Sequence, residues 1–138
     1  MQRRKFIKET SFSIVAGCVG CLSACSKSGV TNTNSPTNFS IDLQSSLMAI
    51  NDTIVQNNVR VVRIATGNNP LSFTAVDQFC THAAGNLNWV AVQNIFSCPV
   101  HGSQFQADGT LIAGSGPASR NLRKYNFTIN GNTLIVSL

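Results

Sequence analysis

Toward the end of the chain, Tyr125, Phe127 and Ile129 alternate with polar residues until Asn130-Gly131-Asn132 interrupts, and an apolar pattern resumes over residues 133–138. A period of two puts every second side chain on one face of an extended chain, and Asn and Gly tolerate positive φ in a tight turn. The stretch therefore predicts a β-hairpin. Shorter runs of the same character precede it: Val59, Val61 and Ile64, interleaved with Arg60 and Arg63, predict a strand, as do residues 71–76 and 89–92. Residues 38–50 are ambiguous, because Leu43, Leu47 and Ile50 suit either a helical turn or the lining of an early strand. Gly, Asn and Pro punctuate the runs from Phe39 onward, so the body reads as an all-β fold of short strands. Trp89 and Phe96 belong to its core or an interface, and no internal repeat is present.

Upstream of Phe39 the pattern changes twice. Basic residues Arg3, Arg4, Lys5 and Lys8 precede an apolar, small-residue run over 12–24 that is too short to span a bilayer comfortably, which is the form of a signal peptide. Residues 3–8, Arg-Arg-Lys-Phe-Ile-Lys, resemble a twin-arginine (Tat) export signal, with an ordinary Sec signal as the alternative. Leu22-Ser23-Ala24-Cys25 resembles a bacterial lipobox, which implies cleavage before a lipidated Cys25. Residues 26–38 are then almost wholly Ser, Thr, Asn, Gly, Lys and Pro, a composition that cannot bury a core. Such a tether spans roughly 20 Å on average and about 45 Å at most. The expected organisation is a Tat-like lipoprotein signal at 1–24, a lipidated cysteine and polar tether at 25–38, and one domain at 39–138, held at the membrane surface without crossing it.

Charge changes meaning under this division. The 138 residues carry a net +5, which would invite a nucleic-acid partner. Removing residues 1–24 leaves six basic and four acidic residues, a net +2, and no basis for nucleic-acid binding. Arg120, Arg123 and Lys124 read as a solvated face. A composition of 43% hydrophobic and 11% charged residues suffices to fill one domain's core.

Of five cysteines, Cys18, Cys21 and Cys25 fall before the body and only Cys80 and Cys98 within it. Each body cysteine has a histidine two or three residues away: Cys80-Thr81-His82 and Cys98-Pro99-Val100-His101-Gly102-Ser103, with 15 residues between His82 and Cys98. One thiolate and one imidazole so close in sequence can be presented by a single tight loop. The same four donor types suit tetrahedral zinc, but zinc fingers pair cysteine with cysteine and histidine with histidine.

These residues resemble the two cluster-binding loops of the Rieske family, in the patterns Cys-x-His and Cys-x-x-His, over about residues 71–138. Gly116-Pro117 resembles that family's proline-containing third loop. The resemblance implies an antiparallel β-sandwich of short strands with a small cluster-binding subdomain, and one [2Fe–2S] cluster. Cys80 and Cys98 would bind the inner iron and His82 and His101 the outer one, with Gly102, Ser103, Phe105 and Pro117 around them. Two ferric ions, two sulfides, two thiolates and two neutral imidazoles sum to zero charge, so an electron is accepted more readily than by an all-cysteine cluster. The family range is about −150 to +300 mV. Reduction also tightens proton binding at the imidazoles, so electron and proton transfer can be coupled.

Departures from the family pattern bear on function. Members in quinol-oxidising complexes carry an extra cysteine in each loop, joined as a disulfide; the corresponding positions here are Gly85, or its neighbour Ala84, and Val100. Ser103 is retained as a possible donor to a bridging sulfide, while Phe105 stands where high-potential members have a tyrosine. A potential in the middle of the Rieske range is expected.

The expected function is one-electron transfer by an extracytoplasmic, membrane-anchored protein or oxidoreductase subunit with no catalytic site beyond the cluster. Its partners would be redox proteins: a cytochrome, a quinol-oxidising complex or a periplasmic oxidoreductase. The alternatives are the Rieske subunit of a quinol–cytochrome c reductase-like complex and a soluble-type ferredoxin feeding an oxygenase. A purely structural lipoprotein would hold no iron. With no histidine beyond His82 and His101, the chain cannot itself supply an oxygenase's mononuclear iron centre.

Overall fold

The computed structural model describes residues 37–138, and the signal-like segment, Cys25 and the tether before Thr37 lie outside the described residues. Nine short strands follow in chain order: β1 (Phe39–Asp42), β2 (Thr53–Gln56), β3 (Val59–Arg63), β4 (Phe73–Asp77), β5 (Asn88–Val90), β6 (Ile95–Ser97), β7 (Gln104–Gln106), β8 (Phe127–Asn130) and β9 (Thr133–Val136). They form three antiparallel three-stranded sheets, in the orders β1-β9-β8, β2-β3-β4 and β5-β6-β7. The all-β expectation is met.

Strand β3 and its neighbour β4 lie between two cores, which follows from the period of two. Val59 and Val61 of β3, with Phe73 and Ala75 of β4, face a first core shared with Phe39, Ile41, Leu134 and Val136. Val62 and Val76, pointing the other way, join a second core with Leu87, Phe96, Phe105, Leu122 and the two body cysteines. Both faces being covered explains why apolar residues of these two strands point to either side.

Two boundaries differ from the sequence reading. Asn69 accepts a bond from the Leu71 N–H and caps a single 3₁₀ turn at Pro70–Ser72, so the strand expected over 71–76 starts at Phe73, and Leu71 is exposed. The strand expected over 89–92 runs from Asn88 and ends at Val90, where a turn begins. Within residues 38–50 an early strand forms, but β1 holds none of Leu43, Leu47 and Ile50; a turn closed by Ser46 N–H to Asp42 C=O (2.9 Å) follows it, with Leu43 and Leu47 buried and Ile50 exposed. The C-terminal hairpin pairs Asn130 with Thr133 about Gly131 at φ 59°, and Tyr125 precedes it, donating its N–H to Ala75 C=O of β4 at 2.9 Å.

Arg63 is 5% exposed and has only neutral acceptors, donating to Leu47 C=O, to Gly67 C=O at 2.9 Å and to Asn68 Oδ1 at 2.7 Å, with its guanidinium over the Phe73 ring. It ties two long connections to the second sheet. The third sheet is joined to the β1–β2 connection by the indole N–H of Trp89 donating to Asn51 Oδ1 at 3.1 Å. Trp89 also packs on Phe96, as a core or interface residue should. The third sheet and the β4–β5 connection carry the chemistry-bearing residues.

Candidate metal centre

Two hairpins of the molecule end in loops of one design. In the first, Phe79 pairs with Asn86 and six residues, 80–85, form the tip; in the second, Ser97 of β6 pairs with Gln104 of β7 and 98–103 form the tip. Each tip is closed by two reciprocal bonds to its leading cysteine. Cys80 N–H donates to Gly85 C=O (2.8 Å) and Ala84 N–H donates back to Cys80 C=O (3.0 Å); Cys98 N–H donates to Ser103 C=O (2.8 Å) and Gly102 N–H to Cys98 C=O (3.0 Å). Closing so tight a ring puts the fifth residue in the left-handed region, Ala84 at φ 52° and Gly102 at φ 80°. Gly102 meets that demand with the residue suited to it, and Ala84 does not.

A third loop covers the second. A β-carbon at Gly116 would lie 2.5 Å from the Ser103 backbone nitrogen and 2.7 Å from its Oγ, so only glycine lets the chain pass there. Ser103 is fully buried and its Oγ accepts the Ala118 N–H at 3.0 Å, while the Gln104 N–H donates to Ser115 Oγ at 2.8 Å. The first loop reaches the third through Thr81 Oγ1, which donates to Arg120 C=O at 2.9 Å. Neither Ser115 nor Thr81 stood out in the sequence, because a hydroxyl that ties two loops looks like any surface Ser or Thr until both loops are placed.

The four expected donors separate by exposure. Cys80 and Cys98 are free thiols, 4% and 2% exposed, whereas His82 and His101 stand in solvent with ring centroids 4.9 Å apart, edge to face. Among the described residues no three His, Cys, Asp or Glu side chains converge as they would around a single metal ion. Two buried thiols and two exposed imidazoles on facing loops match the donor set of a two-iron cluster with thiolates on one iron and imidazoles on the other. The residues fit that group.

Other expected residues also find places. Phe105, fully buried, stands opposite Phe96 on β7; Pro117 is exposed on the third loop beside Gly116. Between Gly85 and Ala84 the structure chooses Gly85 as the residue facing Val100: a β-carbon there would lie 2.6 Å from Val100 Cγ2 and 3.5 Å from Val100 Cβ. The chain has no cysteine at either place.

Compared with known proteins, residues 40–126 match the family description "Rieske [2Fe-2S] domain". The cytochrome b6-f complex iron-sulfur subunit of Chlorobaculum thiosulfatiphilum is 38% identical over 66 residues, 48% of this chain and 35% of that subunit. The chain thus spans about a third of that relative's length. The cyanobacterial plasma membrane Rieske protein PetC3 from Synechocystis PCC 6803 superposes with a TM-score of 0.53 at 30% identity, covering 63% of this chain and 85% of that one. The ferredoxin of carbazole 1,9a-dioxygenase from Nocardioides aromaticivorans IC177 superposes with a TM-score of 0.51 at 19% identity, over 70% of this chain and 92% of that one, a likeness of fold.

Proposed function

The chain belongs to the Rieske [2Fe–2S] family, and from that premise we propose that Cys80, His82, Cys98 and His101 hold its one cluster and that the protein passes single electrons between membrane-associated partners. The observation that carries this reading is the paired frame of the two tips, with buried thiols behind and exposed imidazoles in front. When bound, the cluster accepts and releases one electron at a potential raised by its imidazole ligands.

The chain's own residues do the rest. The reciprocal closures fix the direction of each cysteine, and the three loops tied to one another leave little freedom for the ligands to relax on a change of charge. Leu87, Phe96 and Phe105 keep water from the thiolate side, so partners are met through His82 and His101. Ser103 Oγ accepts the Ala118 N–H and still has its hydroxyl proton to donate; given to a sulfide of a bound cluster, that bond would favour the reduced, more negative state. Phe105 cannot donate at all, and together these support a potential in the middle of the family range.

The finer reading is a lipoprotein: export through a Tat-like signal at 1–24, attachment at Cys25, and an extracytoplasmic head on a tether. Among the described residues no helix is long and apolar enough to cross a membrane. A cluster assembled in the cytoplasm must travel inside a folded protein, which suits the Tat route. Cys25→Ser should release the protein from washed membranes; retention would defeat the lipid anchor.

A second reading, a subunit of a quinol-oxidising complex, is favoured by the likeness to the cytochrome b6-f subunit. Gly85 and Val100 in place of the cross-linking pair weigh against it. Co-purification with a cytochrome, and reduction by a quinol, would favour this second reading over a separate periplasmic oxidoreductase.

The deciding experiment is electron paramagnetic resonance of the reduced protein with iron analysis. A mean g below that of all-cysteine clusters and two irons per chain are expected. Cys80→Ala should abolish both; colourless protein with stoichiometric zinc would overturn the assignment.

A further inference from the structure

The sixth residue of each tip lies tightly against a neighbouring loop. At the second tip this is Ser103, overlain by Gly116; at the first it is Gly85, overlain by Val100. Val100 Cγ2 lies 2.6 Å from the point where a β-carbon of residue 85 would stand, closer than a bonded-neighbour-free carbon tolerates, so the methyl fills space that only glycine leaves. The same point is 3.3 Å from Cys98 Sγ, which puts the Val100 methyl and the Cys98 sulfur against one spot of the first loop. Val100 is nonetheless 54% exposed, a large apolar side chain kept at the surface beside His101. No disulfide joins the tips, Cys80 and Cys98 being free.

We propose that Val100 seated on Gly85 is a non-covalent clasp between the two ligand loops, one that also caps the Cys98 sulfur against water and so positions the cluster and tunes its potential. The physical basis is close packing. Methyl groups in contact with the opposite loop's backbone resist separation of the tips, and they exclude water from a sulfur whose surroundings set the energy of the added electron. The clasp needs both halves: a side chain at 100 long enough to reach, and none at 85. Unlike a disulfide, it is indifferent to reductants and yields under small displacements.

This inference rests on the cluster assignment above, and its test is a double-mutant cycle that separates the two. Val100→Ala removes the cap, and Gly85→Ala pushes it aside with a β-carbon. In the double variant the 2.6 Å clash is gone: the new methyl at 85 meets the Cβ at 100 at an ordinary 3.5 Å and covers Cys98 Sγ from a tight 3.3 Å, so that recovery is partial rather than complete.

With holo protein, each single variant should bleach about tenfold faster in a chelator and show a higher potential by protein-film voltammetry, because water then stabilises the more charged reduced state. The double variant should return toward the parent in both readouts. Val100→Thr, which keeps the branched shape, should bleach like the parent. Single-variant effects that simply add in the double, or a Val100→Ala protein with unchanged potential and bleaching, would overturn the clasp. If the purified parent holds no iron, the cluster assignment fails on its own. The same cycle read by thermal unfolding then judges the clasp: lowered midpoints in the singles and recovery in the double support it, additivity refutes it.

Discussion

The two cysteine tips share a backbone frame and differ at nearly every side chain that matters. Both are six-residue hairpin ends closed by the same pair of hydrogen bonds. The histidine is third in the first tip and fourth in the second, the left-handed fifth residue is Ala84 in one and Gly102 in the other, and the sixth is Gly85 against Ser103. The shared part is what aims a leading cysteine inward. The differing part is what each tip offers its neighbour: the first yields space to Val100, and the second presents a buried hydroxyl beneath Gly116. A repeated backbone device can thus hold two unlike ligand pairs, with the asymmetry left to side chains.

The sharpest way to break this comparison is at the covered sixth residue. Gly116→Ala places a β-carbon against the Ser103 backbone, which cannot move aside like a side chain. Urea unfolding should show a loss of roughly 1–3 kcal/mol, the usual cost of overpacking. An unchanged midpoint would mean the third loop lifts freely. At the fifth residue the tips should respond in opposite directions. Gly102→Ala should destabilise by about 1–2 kcal/mol, since a β-carbon is disfavoured at φ 80°. Ala84→Gly should stabilise by roughly 0.5–1 kcal/mol as strain at φ 52° is relieved in excess of the added chain entropy. Equal signs in thermal unfolding would dispose of the shared frame.

A smaller effect is expected behind the second tip. Phe105→Tyr adds a hydroxyl at the place where the resemblance implies a tyrosine in high-potential members; a hydrogen bond worth about 1 kcal/mol to the reduced state corresponds to about 40 mV for one electron. Voltammetry showing no rise would argue against the assigned place of Phe105. The least effect belongs to Asp108, in the turn after β7. Its carboxyl is held below the usual range, first by the Thr110 backbone N–H at 2.9 Å and then by the Thr110 hydroxyl and by Lys124 at 3.1 Å. A depressed acid stabilises the fold above its unfolded pKa of about 3.9 and loses that contribution as pH falls through its folded value. Asp108→Asn should therefore cost well under about 1 kcal/mol near neutrality, the pair being solvent-exposed, and nothing once the pH is below both values. A penalty that persists in strong acid would point to some other cause.

Much of the centre could be read along the chain, because each ligand pair is local: two or three residues separate thiol from imidazole, and the spacing alone lets one loop hold both. The C-terminal hairpin was legible for a similar reason, its turn residues and alternation lying within a dozen positions. Strands β2, β6 and β7 were not, since three or four residues carry too short a pattern to register a period and are stabilised by partners elsewhere in the chain. The start of β4 was hidden by Asn69, whose capping bond competes with extension at Leu71. Both tips spell six residues after an aromatic or small polar residue, yet their equality is visible only through the bonds that close them.

The sequence by itself determined the all-β class, the two Cys/His pairs and the absence of a cysteine at 85 and 100, since these depend on residue identity and short-range spacing. Only the tertiary structure decided that Gly85 rather than Ala84 faces Val100, that Ser103 lies beneath Gly116, and that the thiols are buried while the imidazoles are exposed. Those are relations between loops brought together by packing of separate sheets, and a contact of that kind leaves no periodicity in the chain that makes it.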